Sequence, residues 1–275
     1  MTTLPPEHPV PAVRASHHYR AVAESFGVDA ERYDRTRPPY PAALVDRIIA
    51  VSPGPDVLDV GCGTGIEARQ FQAAGCRVLG VDPDARMADF ARRSGIEAEV
   101  ATFETWDASG RDFDAVIAGT AWHWVDPVAG AAKAGQVLRI GGLLAPFHHV
   151  FHAPPALAGA QAEAYRRVAP DAPVTVTSQL TRSTLAAYEP LFARITDGIR
   201  TAGSFGEPER WQFEWECTYS RDQWLDQLPT LGSFTQLAPD QLAAMAAHVG
   251  ATIDAMGGSF TMSYTTVAVA AARAR

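Results

Sequence analysis

Val57-Leu58-Asp59-Val60-Gly61-Cys62-Gly63-Thr64-Gly65 is the stretch that decides the fold of this chain. Val57 to Val60 is a short apolar run after the breaker Pro53-Gly54-Pro55, which predicts a buried parallel strand. The glycines that follow let the backbone turn sharply and approach a ligand closely, because no Cβ stands in the way. A helix beginning near Ile66 would direct its free N–H groups toward that turn. The stretch therefore predicts a strand, a glycine loop and a helix that together hold a ligand.

A second strand is predicted at 77–81, and it ends at Asp82, 23 positions after Asp59. An acidic residue about 20 positions past a glycine loop is placed to accept hydrogen bonds from ribose hydroxyls. The dinucleotide fingerprint G-x-G-x-x-G needs a last glycine where this chain has Ile66, and the spacing here is G-x-G-x-G instead. The sequence therefore predicts a pocket for a nucleoside-containing cofactor and disfavours a dinucleotide.

This stretch, with Asp59 and Asp82, resembles the first two motifs of the class I S-adenosylmethionine (SAM) methyltransferases. The pattern Tyr-x-x-x-Arg-Pro-x-Tyr-Pro at 33–41, the His123-Trp124 pair and the phrase Leu-Arg-x-Gly-Gly at 138–142 are similar to a small-molecule branch of that family. The resemblance runs from about residue 33 to residue 147. It implies an α/β fold with a Rossmann-like, doubly wound, seven-stranded sheet, an antiparallel last strand and a helical lid insertion.

The resemblance also implies SAM as the cofactor and a set of residues that bind it. The glycine loop would hold the methionine tail, Asp82 the ribose, and Thr102 with Phe103 the adenine ring. Met87 would pack either against adenine or in the core. Tyr33 and Arg37 would lie near the tail of SAM or the substrate. Alternatively, Tyr33 would pack in the protein and Arg37 would be a solvated surface charge. The expected cofactor-binding residues are Tyr33, Arg37, Asp59, Gly61, Gly63, Gly65, Asp82, Met87, Thr102, Phe103 and Gly119.

His123 is the candidate catalytic residue. Methyl transfer from a sulfonium needs alignment of nucleophile, methyl carbon and sulfur, and exclusion of water. A hydroxyl acceptor would also need a base, and His123 follows a strand end that should face the methyl group. The alternative is a histidine packed between two tryptophans. The candidate acceptor-binding residues are Tyr40, Trp122, His148 and His149.

Metal binding is not predicted, although His148, His149 and His152 cluster in the sequence. Adjacent histidines on a strand point to opposite faces, and no acidic residue stands close to them in sequence. Imidazoles lining an acceptor pocket are the favoured interpretation.

Composition limits the class of protein. The chain has 275 residues and a net charge of −8, which argues against extended nucleic-acid contact. The three cysteines show no metal or disulfide spacing, so we expect a cytoplasmic protein. No apolar run reaches about 18 residues, so no membrane partner is expected. The expected partner is a small-molecule methyl acceptor, and the sequence leaves open whether the chain is a monomer or a homodimer.

Four regions are predicted along the chain. Residues 1–40 would cover the cofactor site, 41–150 would form the SAM-binding core, 151–210 a helical lid, and 211–275 the end of the core sheet. The predicted function is methyl transfer from SAM to a small-molecule hydroxyl, carboxylate or amine. The alternatives are a SAM-binding protein of this fold that catalyses a non-methylating reaction, and a non-catalytic binding or regulatory protein.

Overall fold

A computed structural model describes residues 25–171, 184–232 and 234–274 of the chain. Residues 1–24 of the predicted N-terminal segment and residues 172–183 of the predicted lid lie outside these ranges. The strands of the described residues are β1 (Asp56–Val60), β2 (Arg77–Asp82), β3 (Glu97–Val100), β4 (Phe113–Gly119), β5 (Leu138–His152), β6 (Glu209–Ser220) and β7 (Ser259–Ala272).

In the described part of the chain these strands form one seven-stranded sheet in the order β3-β2-β1-β4-β5-β7-β6. The pairs among β1 to β5 are parallel, whereas β7 runs antiparallel to both β5 and β6. The order reverses at β1, which places the ends of β1 and β4 at the crevice where ligands collect in such sheets. The predicted fold class is confirmed.

Helices connect the strands and cover both faces of the sheet. Two of the shorter helices begin at side-chain caps: Asp84 accepts the N–H of Arg86, and Ser220 forms a capping box with Gln223. The helices are α1 (Ala30–Thr36), α2 (Ala42–Val51), α3 (Ile66–Ala73), α4 (Ala85–Arg93), α5 (Pro127–Val137), α6 (Pro155–Val168), α7 (Leu185–Ala202), α8 (Arg221–Gln227) and α9 (Pro239–Ala255).

The stretch predicted as a lid divides between two hydrophobic layers. Phe192, Ile195 and Ile199 of α7 are buried in the cluster that covers one face of the sheet, together with Val116 and Leu144. Helix α6 instead belongs to a separate cluster with α8, α9 and the ends of β6 and β7. Helix α7 is therefore a structural layer of the core, and the region of α6, α8 and α9 stands apart from it.

Strand β5 is 15 residues long and extends beyond the parallel part of the sheet. Gly119, the last residue of β4, pairs with Phe147, so residues 148–152 of β5 continue beyond the carboxyl end of the parallel sheet. Strand β7 pairs with this extension as far as His152 opposite Ser263. The extension carries three histidines, His148, His149 and His152, and α6, α8 and α9 pack around it.

Within the described residues, none of the helices combines the length and apolar character that a membrane crossing requires. The same residues contain no group of three or more histidine, cysteine, aspartate or glutamate side chains arranged to hold a metal ion.

Candidate active site

The glycine loop between β1 and α3 has the backbone conformation that its sequence predicts. Gly61, Gly63 and Gly65 have φ values of 70°, 54° and 86°, in the left-handed region that favours glycine. A Cβ at Gly61 would lie 2.6 Å from the Cβ of Ala121, so a larger residue would collide there. A Cβ on Gly63 would meet nothing within 4 Å. The loop is therefore closed on the Gly61 side and open above Gly63.

Asp82 fixes this loop from the end of β2. Its Oδ2 accepts a hydrogen bond from the Gly63 N–H at 2.8 Å, and its Oδ1 accepts one from the Asp84 N–H at 2.8 Å. Burial raises the pKa of Asp82 to about 6, although these two backbone donors favour the charged form. Each carboxylate oxygen keeps a second lone pair, so the group can still accept a hydrogen bond from a ligand hydroxyl.

Two more acidic side chains are buried beneath the loop. Asp59 is 0% exposed, and neither of its carboxyl oxygens has a hydrogen-bond partner within the described part of the chain. Burial raises the pKa of Asp59 well above its usual value and that of Glu67 to about 8, even though backbone N–H groups of Glu67 and Gly119 stabilise the Glu67 carboxylate. Glu67 and Asp82 raise the pKa of Asp59 further, and Asp82 raises that of Glu67, which makes this end of the site favourable for a positive charge.

A cavity of about 110 Å³ lies over the glycine loop. Three parts of the chain line it. The loop side contributes Gly61, Cys62, Gly63, Thr64, Ile66, Glu67, Gly119 and Thr120. The segment before α2 contributes Tyr33, Arg37, Pro38 and Tyr40, and the extension and C-terminal region contribute His148, His149, Phe151, Trp224, Gln227, Leu231 and Tyr264.

The segment before α2 is held against the cavity by specific contacts. The Arg37 guanidinium lies 4.7 Å from the centre of the Tyr33 ring and donates to the carbonyl of Thr230. The Tyr40 hydroxyl donates to Oγ1 of Thr120 at 2.9 Å, and its ring stacks on His149 at 4.3 Å. Thr120 itself has a φ of 53°, which is unfavourable for a threonine and marks a strained strand end. Tyr33, Arg37 and Tyr40 therefore lie together at the site.

The structure brings some of the sequence-predicted residues to the cavity wall and leaves others behind it. Those that line the cavity are Tyr33, Arg37, Tyr40, Gly61, Gly63, Gly119, His148 and His149. Those outside the lining are Asp59, Gly65 and Asp82, which lie in or under the loop, and Met87, Thr102, Phe103, Trp122 and His123.

The residues expected around adenine and acceptor have other contacts in the structure. Met87 and Phe103 are buried, and the Phe103 ring packs 6.1 Å from that of Trp122 in the hydrophobic layer over the sheet. The Thr102 hydroxyl forms a hydrogen bond with that of Thr105 at 2.7 Å. Trp122 is part of the same layer, so its indole is a packing group.

The histidines form a layered arrangement. His148 lines the cavity, and the ring of His123 meets it edge-on at 5.5 Å from the side away from the lining. Burial lowers the pKa of His148 to about 4 and that of His149 to about 3, and it lowers that of His123 well below its usual value. All three imidazoles are therefore neutral at pH 7, the protonation state in which histidine accepts a proton.

Sequence reasoning missed several lining residues. Glu67 had a local signal, because it stands in the first turn of the helix that follows the glycine loop. Trp224 and Gln227 had none, because they reach the cavity only when α8 packs against the β5 extension. Phe151 and Tyr264 depend likewise on the length of the β5–β7 pair.

Part of this chain is similar in sequence to known methyltransferases. Residues 57–142 match the family model of the methyltransferase domain. An uncharacterized methyltransferase of Mycobacterium tuberculosis is 35% identical over 127 residues, which cover 46% of this chain and 52% of the relative. The ubiquinone biosynthesis O-methyltransferase of Methylocella silvestris is 37% identical over 95 residues, which cover 32% of this chain and 37% of that enzyme. The chain thus spans about half the length, or less, of these curated relatives.

One solved structure covers most of the fold. A chain from Anaeromyxobacter dehalogenans, assigned as a type II methyltransferase, superposes with a TM-score of 0.62 at 25% identity. The superposition covers 86% of this chain and 98% of the other. Residues 57–142 are therefore similar to the methyltransferase domain, and the seven-stranded α/β fold is shared with this solved structure.

Proposed function

We propose that this protein is a SAM-dependent methyltransferase that acts on a small molecule. The proposal rests on one observation, which is that the region matched to the methyltransferase domain also lines the cavity. The region that matches the methyltransferase domain contains the glycine loop, Glu67 and Gly119, and these same residues line one side of the cavity. The sequence family and the cavity thus single out the same residues.

The residues of this side fit SAM. The open space above Gly63 leaves room for an amino-acid tail against the loop backbone. The unpartnered carboxyl group of Asp59, with Glu67 beside it, suits a ligand that carries positive charge. Asp82 would accept hydrogen bonds from the ribose hydroxyls while it holds the loop. When bound, SAM supplies an electrophilic methyl group on a sulfonium.

The residues of the opposite side would hold the acceptor. His148 lines the cavity as a neutral imidazole and can accept the proton of a hydroxyl or ammonium acceptor. His123, the candidate base from the sequence, would act behind His148 by fixing its ring, since the two rings are in contact. The segment with Tyr33 and Tyr40 would exclude water from the reacting atoms.

Binding of S-adenosylhomocysteine tests the cofactor assignment. Asp82→Asn keeps the size of the side chain but replaces one acceptor oxygen with a donor. We expect it to lower the affinity at least about tenfold, the effect of one hydrogen bond to a charged group. The matched control is Asp46→Asn on the exposed face of α2, which should bind like wild type. Calorimetry that finds equal affinity for Asp82→Asn and wild type contradicts the ribose assignment.

Turnover separates the proposal from its alternatives. Protein incubated with methyl-labelled SAM and a metabolite extract should transfer label to a small molecule. Binding of S-adenosylhomocysteine without any transfer would instead favour a SAM-binding protein that does not methylate. Absence of binding would reject the cofactor itself.

A further inference from the structure

The C-terminal side of the cavity contains three buried polar atoms that lack a hydrogen-bond partner. Trp224 and Gln227 are 2% and 3% exposed, and both line the cavity from α8. The Trp224 Nε1, the Gln227 Oε1 and the Nε2 of His149 have no partner among the described residues. Leaving such a group unpaired costs about 1–3 kcal/mol, so three of them on one cavity indicate a ligand that completes their bonds.

A chain of hydrogen bonds fixes which nitrogen of His149 carries the proton. The indole N–H of Trp215 donates to Oγ1 of Thr266 at 2.9 Å, and the same oxygen lies 2.9 Å from Nδ1 of His149. The buried Thr266 hydroxyl has its own proton to donate, and among the described residues its partner for that is Nδ1. Nδ1 of this neutral imidazole is therefore the acceptor, and Nε2 carries the proton.

Two fixed donors therefore stand on this side of the cavity. An indole nitrogen can only donate, so Trp224 offers an N–H, and His149 offers its Nε2–H. The amide of Gln227 can present its N–H₂ group after a half-turn of the side chain. The complementary ligand group carries hydrogen-bond acceptors.

The charges around these donors favour a negative ligand group. Arg37 supplies the cationic side chain among the described lining residues, and its Nε has no partner. The positive charge of Arg37 acts on His149, because Arg37 lowers the pKa of this histidine beyond the lowering that burial causes. The acidic lining residue, Glu67, lies on the loop side against Gly119. The other lining residues of the extension and the C-terminal region include the apolar and aromatic side chains of Phe151, Leu231 and Tyr264.

Building on the proposed methyltransferase function, we propose that the acceptor is a small organic acid with an apolar body. Its carboxylate accepts hydrogen bonds from His149 and Trp224 on the side of the cavity that faces Arg37. His149, Trp224 and Gln227 are then the residues that determine acceptor specificity. An amine acceptor fits poorly, because an ammonium group would meet two N–H donors and a guanidinium.

Three probes test the assignment: they share a benzene ring and differ in whether the attached group is negative, neutral or positive. Benzoate, benzyl alcohol and benzylamine are titrated calorimetrically into the full-length protein saturated with S-adenosylhomocysteine. We expect benzoate to bind at least about tenfold more tightly than benzyl alcohol, and benzylamine not to bind. Equal affinities, tighter binding of benzylamine, or no binding of benzoate in the millimolar range overturns the proposal.

Variants tie the preference to the named atoms. Trp224→Phe keeps a ring but removes the N–H, and Thr266→Val removes the hydroxyl that orients His149. Each should weaken benzoate binding about tenfold and leave S-adenosylhomocysteine affinity unchanged. Gln227→Glu, nearly isosteric, should abolish the preference for benzoate by charge repulsion. The control is Trp211→Phe, whose indole outside the lining is bonded to Glu209. Unchanged benzoate affinity in both Trp224→Phe and Thr266→Val rejects the assignment.

The two proposals fail in different ways. If S-adenosylhomocysteine does not bind wild-type protein, the methyltransferase proposal fails together with the acceptor class. If it binds and benzoate shows no preference over benzyl alcohol, only the acceptor class is rejected.

Discussion

Glu67 shows how a single residue can serve a site at the expense of the fold. Its carboxyl group lies against Gly119, where an added Cβ would come within 2.5 Å of Oε1. The glycine therefore makes room for the carboxyl, and burial there raises its pKa to about 8. A buried carboxyl disfavours its charged form, so the folded state holds this proton more tightly than the unfolded chain does.

The pH dependence of stability follows from that shift. The folded-state pKa of about 8 lies above the usual 4.5, so the folded protein binds more protons between these values. The free energy of unfolding therefore falls as the pH rises through this window. Glu67→Gln cannot ionise at this position, so the free energy of unfolding of this variant should decrease less steeply with pH. Urea unfolding of the ligand-free protein at several pH values measures it.

The control for this prediction is Glu214→Gln, on the exposed side of β6, which should keep the wild-type slope. If Glu67→Gln loses stability with pH as steeply as wild type, the buried carboxyl is not its source, and the other buried acids become the candidates.

At the scale of elements, the position of α7 separates a core layer from a lid. Gly198 lies where α7 meets the first residue of α5, and a Cβ there would be 2.5 Å from the carbonyl oxygen of Pro127. Alanine favours a helix over glycine by about 1 kcal/mol, so the same substitution stabilises a helix that has free space. The two effects have opposite signs, which makes them separable by experiment.

Gly198→Ala should therefore destabilise the protein by about 1–3 kcal/mol, the usual cost of overpacking. Gly159→Ala is the matched control, because Gly159 lies exposed within α6 and an added Cβ would meet nothing within 4 Å. It should stabilise the protein by up to about 1 kcal/mol. Denaturant unfolding measures both variants. Equal stabilisation by the two substitutions would mean that α7 is a detached helix.

The same elements show what the sequence could predict. The glycine loop and the end of β2 are local patterns, in which backbone conformation and residue type depend on neighbours in sequence. The placement of α7 is not local, because an amphipathic helix fits a lid and a core layer equally well. The unpaired atoms of Trp224 and Gln227 are less predictable still, since they depend on α8 meeting the β5 extension.

At the scale of the whole molecule, the cavity joins parts of the chain that are far apart in sequence. The segment before α2 is tied to the C-terminal region by Arg35 and Arg32, which pair with Asp226 at 2.8 Å and 3.2 Å. Exposed pairs of this kind contribute little each. A cofactor on the glycine loop and an acceptor beside Arg37 and Trp224, bound together, would hold these parts more firmly than the protein alone does.

Hydrogen exchange should detect this effect. A ligand present at about 100 times its Kd stabilises the bound state by about 2.7 kcal/mol against any opening that breaks the site. Amides of α1 and α8 exchange through such openings, so saturating S-adenosylhomocysteine and benzoate together should slow them by up to about 100-fold. The start of β6, which pairs with the end of β7 at the opposite end of the sheet, should exchange as before. Slowing confined to the glycine loop would mean that the two ligands contact that loop alone, and that α1 and α8 close the cavity without taking part in binding.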